Sequence, residues 1–187
     1  SSTGSIGITL FPKHGEEVED LLREADTAMY RAKDLGRNRI RFYEADMQAD
    51  VQERLALEQD LKKASAEGQL TAFVQSQVDA SGTVIGGELL MRWNHPVRGN
   101  VPPSRFIPVA ESSGLILRMG DRMILQACET LARLHAAGQE LLISVNVSER
   151  QFRQDDFVER VLGMLAQTGA PAALLILEVT ESLLIEH

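Results

Sequence analysis

The feature that most restricts the fold is a recurrence. Three apolar runs in the second half of the chain, Val84 to Trp93, Leu141 to Val147 and Leu174 to Val179, are separated by helical stretches. Their apolar residues are close to continuous, the pattern of parallel strands buried on both faces. A strand-like run from Thr71 to Val78 precedes them, followed by the turn residues Asp79-Ala-Ser-Gly82. The intervening helical patterns run from Pro103 or Ser104 through Ala110, from Arg122 to Ala137, and from Phe157 to Thr168. Strands alternating with helices predict a parallel α/β sheet. Counted from Thr71 there are four strands and three helical regions. A closed barrel takes more strands than these. The second half therefore reads as part of a TIM-like (β/α) barrel, roughly half of one.

The front of the chain reads as strand, helix, strand. Ser5 to Leu10 alternates, Pro12, His14 and Gly15 make a loop, and apolar residues recur at helical spacing from Glu16 to Leu35. Gly36 ends that helix and Arg39 to Tyr43 closes as a strand. Such a piece is too small to own a full core. Glu44 to Glu67 reads as a charged helix, with Val51, Leu55, Leu61 and Ala64 expected on one face. No Gly/Ser/Pro-rich spacer interrupts it, so it predicts a stiff junction. The expected division is 1–43, a linking helix at 44–68, and 69–187. The chain starts at Ser1 without an initiator Met and stops at His187 as a new element begins, so it is expected to be a fragment of something longer.

Of the 187 residues, 44% are hydrophobic and 25% charged, as in ordinary globular domains. The net charge of −8 argues against any general attraction to a nucleic acid polymer or an anionic membrane. Cys128 stands alone in a helical pattern and reads as a small buried core residue. Without a possible internal disulfide or a long apolar run, the expectation is a cytoplasmic chain, with any membrane anchor upstream in the longer protein. No complete phosphate loop, HExxH or CxxC pattern occurs.

Polar side chains punctuate the apolar strands. Glu88, Asn146 and Glu178 lie at strand ends, and Glu181 follows. Carboxylates and a carboxamide so placed could assemble an oxygen-ligand site, which favours Mg²⁺ or Mn²⁺ over zinc. Read alone, Glu88 is better taken as a strand-end salt bridge. Arg92 shares its strand face by period-two alternation, and both a surface ion pair and an anion contact stay open for it. Trp93 reads as core. His95 and His135 have no ligand spacing and read as structural or solvent-facing. Lys33 and Arg37, four apart at a helix end, suit the helix dipole about as well as a phosphate.

Six stretches carry a resemblance. They are Val74-Gln75, Gly87 to Trp93, His95-Pro96 with Gly99, Pro102 to Gly114, Val145 to Ser148, and Leu177 to Ser182. Together they resemble the EAL domain of cyclic di-GMP phosphodiesterases, densely over about 125 residues from Leu55 to Glu181. The first 43 residues resemble the end of a GGDEF (diguanylate cyclase) domain through Ser5-Ile-Gly-Ile, Ala25 to Lys33 and Gly36-Arg-Asn38. The resemblance implies an EAL-type barrel preceded by the last strand-helix-strand of a GGDEF domain. The implied activity is metal-dependent hydrolysis of cyclic di-GMP to linear pGpG in bacterial signalling.

Residue by residue, the resemblance implies that Glu88, Asn146 and Glu178 hold Mg²⁺ or Mn²⁺, Glu88 being the catalytic carboxylate. It implies that Gln75, Leu90 and Arg92 contact the dinucleotide, Arg92 through a phosphate. Glu181 would steady a regulatory loop, and Lys33 and Arg37 would contact GTP phosphates. A homodimer through the EAL domain is also implied. Two positions depart from the family pattern: Leu89 stands where the name-giving Ala sits, and Ser76 where Pro is usual. The Asp-Asp-Phe-Gly segment, the catalytic Lys and a later Glu are expected beyond residue 187, and the GGDEF signature is absent from the front piece. Neither active site is expected to be complete in this chain. The alternative is a module that binds cyclic di-GMP without cleaving it, or a junction that transmits regulation. Retention of Glu88, Asn146 and Glu178 favours the enzyme, because a pure receptor is free to lose ligands.

Overall fold

The front strand, helix and strand form as their periodicities predict. In the computed structural model, which describes residues 4–14, 16–34, 36 and 38–179, β1 (Ile6–Ile8) and β2 (Ile40–Phe42) pair in parallel, connected through α1 (Val18–Asp34). Glu19 and Asp20 occupy the first turn of α1, and Arg31 and Lys33 its last, which suits the helix dipole at both ends. Ala28 and Ala32 are fully buried. The hydroxyl of Thr9 donates to the buried Glu24 carboxylate at 3.1 Å. By contrast Ile6, Ile40 and Phe42 stay exposed, as expected of a two-stranded piece without a core of its own.

The chain divides into two compact units, Ser1–Leu57 and Glu58–His187. The division falls inside α2 (Ala45–Glu67). In the first unit the Thr27 hydroxyl donates to Gln48 at 3.1 Å and Arg31 pairs with Asp50. The buried residues of α2 are Met47, Leu57, Leu61 and Ala64, while Leu55 is exposed. The expected face of Val51, Leu55, Leu61 and Ala64 is therefore wrong. With about 3.6 residues per turn, Val51 and Leu55 project from a different side of the helix than Leu61 and Ala64.

The strands of the second unit are β3 (Leu70–Val78), β4 (Val84–His95), β5 (Gly99–Val101), β6 (Leu142–Val147) and β7 (Leu175–Val179). Their order in the sheet is β3-β4-β6-β7, with the short β5 paired on β4. β4, β6 and β7 are parallel neighbours. β3 runs antiparallel to β4, which corrects the expectation of an all-parallel sheet. The cause is local. The Asp79 carboxylate accepts from the backbone N–H groups of Ser81 and Thr83, closing a tight turn. A tight turn can join only antiparallel strands. Nor is β3 covered on both faces, since Phe73 and Val74 are more than half exposed.

The crossover from β4 to β6 is helical. α3 (Pro103–Ser113) and α4 (Leu115–Ala136) meet at Gly114, whose φ of 81° is the left-handed conformation that ends one helix and opens the next. Both helices are longer than their apolar periodicity predicts, and α4 begins at Leu115 rather than Arg122. Leu115, Ile116 and Met119 bury and extend its apolar stripe. α5 (Glu149–Phe152), unforeseen from sequence, and α6 (Phe157–Thr168) connect β6 to β7. The core lies on the helical side of the sheet. Leu89, Ile143, Val145 and Val147 pack there against Ile124, Ala127, Cys128 and Leu131 of α4 and Phe157 and Val161 of α6. Trp93 is fully buried; its Nε1 donates to Gln69 and its ring meets Phe106 edge-on. No described helix is long and apolar enough to cross a membrane.

Candidate active site

Successive side chains of a strand alternate between its faces. With Leu89 and Val145 in the core, the side chains of Glu88, Leu90, Arg92, Ser144 and Asn146 fall on the opposite face of the sheet. The ladder then sets the rows. Gln75 lies opposite Glu88 on β3, Ser144 lies beside Glu88 on β6, and Ile176 follows on β7. One step along, Asn146 is registered with Glu178. Three neighbouring parallel strands thus carry Glu88, Asn146 and Glu178 on one face. The Asn146 amide donates to Glu88 Oε1 at 2.5 Å. Glu88 is not at the end of its own strand, because β4 runs on to His95; it is near the end of its pairing with β6.

Two carboxylates and a carboxamide are hard oxygen donors. Asn146 is exposed and Glu88 and Glu178 are half-buried, so a cation could reach them. This donor chemistry fits a divalent ion of the Mg²⁺ type, which takes one or two carboxylates and keeps part of its own water. Among the described residues no three His, Cys, Asp or Glu side chains gather as a metal cluster. Any cation held here would depend on the Asn146 oxygen as well as the carboxylates.

A cavity of about 300 Å³ opens between these strands and helices α3 and α4, lined by Leu89, Met91, Val147, Ile107, Met123 and Gln151 among others, and reaching Arg92 and Asn146. Arg92 is half-buried, and its guanidinium donates to the Met91 carbonyl at 2.9 Å. Gln75 is exposed on β3. Glu111 is exposed as a residue, but partial desolvation of its carboxyl, and then the nearby Glu149, raise its pKa above the ordinary carboxylate value. Arg150 donates to the Glu111 carbonyl at 2.6 Å, tying the end of α3 to α5. Gln151 is buried; its amide donates to Asp121 of α4 at 3.0 Å, and its backbone N–H is capped by Ser148.

Glu88, Leu90, Arg92, Asn146 and Glu178 are thus brought to one side of the sheet, with Gln75 at its edge. Glu181 and Arg37 lie outside the described residues. Lys33 sits exposed in the last turn of α1. Ser144, Glu111 and Gln151 were not singled out from sequence. For Ser144 a signal existed, since it stands two residues before Asn146 and so shares its face. For Glu111 and Gln151 there was none, because both reach the cavity only through helix packing. His95 is structural, accepting at Nδ1 from the backbone of Val97 and Arg98 and facing Asp60 through Nε2. His135 pairs with Glu140 at the surface.

Residues 58–187 match the EAL domain and residues 1–39 match the diguanylate cyclase GGDEF domain. The chain belongs to the EAL domain family, and its second unit is part of an EAL-type barrel. It is 41% identical over 182 residues to the bifunctional diguanylate cyclase/cyclic di-GMP phosphodiesterase MucR of Pseudomonas aeruginosa, covering 96% of this chain and 27% of that protein. It is 37% identical over 183 residues to the cyclic di-GMP phosphodiesterase PdeR of Escherichia coli, covering 98% of this chain and 28% of that one. A solved structure of the MucR phosphodiesterase in complex with c-di-GMP superposes with a TM-score of 0.68 at 36% identity, over 70% of this chain and 54% of that one. The chain spans about a quarter of the length of the curated relatives it matches.

Proposed function

We propose that this chain is part of a phosphodiesterase that hydrolyses cyclic di-GMP to linear pGpG in bacterial second-messenger signalling. The observation that carries the reading is the placing of Glu88, Asn146 and Glu178 on one face of three adjacent parallel strands, with the Asn146 amide bonded to Glu88. In it, Glu88, Asn146 and Glu178 hold Mg²⁺ or Mn²⁺. Such a cation, when bound, supplies positive charge beside the phosphodiester and lowers the barrier to attack by water. Arg92 holds a phosphate after leaving the Met91 carbonyl. Gln75 and Leu90 flank the dinucleotide, and Glu181 steadies a loop of the complete barrel. The chain's division into a GGDEF end at 1–43, a linking helix at 44–68 and an EAL portion at 69–187 belongs to the same reading. So do GTP contacts by Lys33 and Arg37 in the GGDEF domain, a homodimer through the EAL domain, and a cytoplasmic location.

The test uses the full-length protein. Glu88→Ala is expected to abolish turnover while leaving the melting temperature near that of the wild type, because a half-exposed side chain leaves no core cavity. The loss should correspond to several kcal/mol of transition-state stabilisation. Arg92→Ala should weaken dinucleotide binding more than Glu88→Ala does. Near-normal turnover by Glu88→Ala with either Mg²⁺ or Mn²⁺ would refute the assignment. Binding without turnover by the unmodified protein would instead identify a cyclic di-GMP sensor.

A further inference from the structure

Two buried side-chain hydroxyls have no hydrogen-bond partner among the described residues, Thr71 Oγ1 and Ser144 Oγ. Both lie on the sheet face of the candidate site. Thr71 is registered opposite Arg92, and Ser144 beside Glu88. Ser144 is only 1% exposed. A buried hydroxyl with its bond unmade is destabilising, and native structures seldom keep one without a use.

The surroundings of Ser144 leave few acceptors. The backbone groups of β6 serve the ladders to β4 and β7. Across one ladder is Ile176, which cannot accept a hydrogen bond; across the other is Glu88. Neighbouring strands lie about 4.8 Å apart, so a serine hydroxyl and a carboxylate in the same row can meet by side-chain rotation alone. Glu88 Oε1 already accepts from Asn146, which makes Oε2 the acceptor open to Ser144.

We propose that Ser144 is a positioning residue for Glu88, its hydroxyl donating to the Glu88 carboxylate when that carboxylate holds a divalent cation. The inference rests on the reading of Glu88, Asn146 and Glu178 as the cation site. A cation held there draws on the Asn146 carboxamide oxygen and the Glu88 carboxylate together, so the orientation of that carboxylate bears on its affinity. A second donor in the same row then keeps the carboxylate oriented.

The test titrates Mn²⁺ alone, without dinucleotide, into the full-length protein and follows free Mn²⁺ by electron paramagnetic resonance. The difference between the wild type and E88A isolates this site from any other. S144A should bind Mn²⁺ there about tenfold more weakly, the lower end of the effect seen when a hydrogen-bond partner of a metal ligand is removed. Its cation-free melting temperature should be no lower than that of the wild type, since no described residue bonds the hydroxyl that is lost. Unchanged Mn²⁺ affinity in S144A would overturn the proposal. So would a lower cation-free melting temperature, which would mean that the hydroxyl was already bonded for structural reasons. If E88A binds Mn²⁺ as the wild type does, the cation-site reading fails and this proposal falls with it. A failure confined to S144A leaves the cation site standing.

Discussion

Gly86→Ala is a sharp test of how the Glu88 strand is seated. A Cβ at Gly86 would lie 2.4 Å from the carbonyl oxygen of Leu142, and 3.1 Å from both its carbonyl carbon and its Cβ. Relief needs a displacement of roughly 1 Å to reach ordinary contact distance. The obstacle is backbone, not the end of a flexible side chain, and Gly86 and Leu142 form the first registered pair between β4 and β6. Strand β6 must therefore shift or the pair must open. Overpacking of this kind costs up to about 3 kcal/mol. Replacing Gly also narrows the unfolded ensemble and returns about 0.7 kcal/mol. The net loss is about 2 kcal/mol, or about 7 °C in melting temperature for a unit of this size. Gly163→Ala is the control. It makes the same chemical change inside α6, where nothing lies within 4 Å of the new Cβ. It should stabilise by about 0.5–1 kcal/mol, as Ala does in a helix interior. Thermal and urea unfolding of the two variants should move in opposite directions. A Gly86→Ala protein as stable as the wild type would refute the close approach of β4 to the Leu142 carbonyl.

Three further outcomes are expected. Because partial desolvation and Glu149 raise the Glu111 pKa, the ionised carboxylate destabilises the fold, and that penalty grows as pH rises from the ordinary carboxylate value through the raised one. Glu111→Gln should therefore be more stable than the wild type at neutral pH, an advantage that shrinks as the pH falls into the acidic range of an ordinary carboxylate; equal pH profiles in chemical denaturation would contradict this. His95→Ala removes the acceptor for two backbone N–H groups and the contact with Asp60, and should lower stability by about 1–2 kcal/mol in urea unfolding. Cys128 is fully buried and its thiol pKa is raised by that burial, so labelling by a thiol reagent at mildly alkaline pH should wait on unfolding; prompt labelling of the native protein would show α4 packed differently.

Much of this protein follows from local pattern. The alternation of β4 alone places Glu88, Leu90 and Arg92 on one face and Leu89 and Trp93 on the other, because successive side chains of any strand oppose one another. Helical spacing marks α1, α4 and α6 for the same kind of reason. Even the antiparallel entry of β3 was written in Asp79 to Gly82, whose tight turn should have outweighed the apolar continuity of the later strands. What pattern could not supply is which residue of one strand stands beside which residue of another. Glu88 and Ser144 are neighbours because β4 and β6 pair with Gly86 beside Leu142, and α4 packs its apolar stripe over the joint face of the two strands. The same holds for Asn146 beside Glu178 and for the partial desolvation that raises the Glu111 pKa. Periodicity is a property of one segment, whereas register and burial arise between segments far apart in the chain. Sequence therefore named the faces, and tertiary packing chose the neighbours on them.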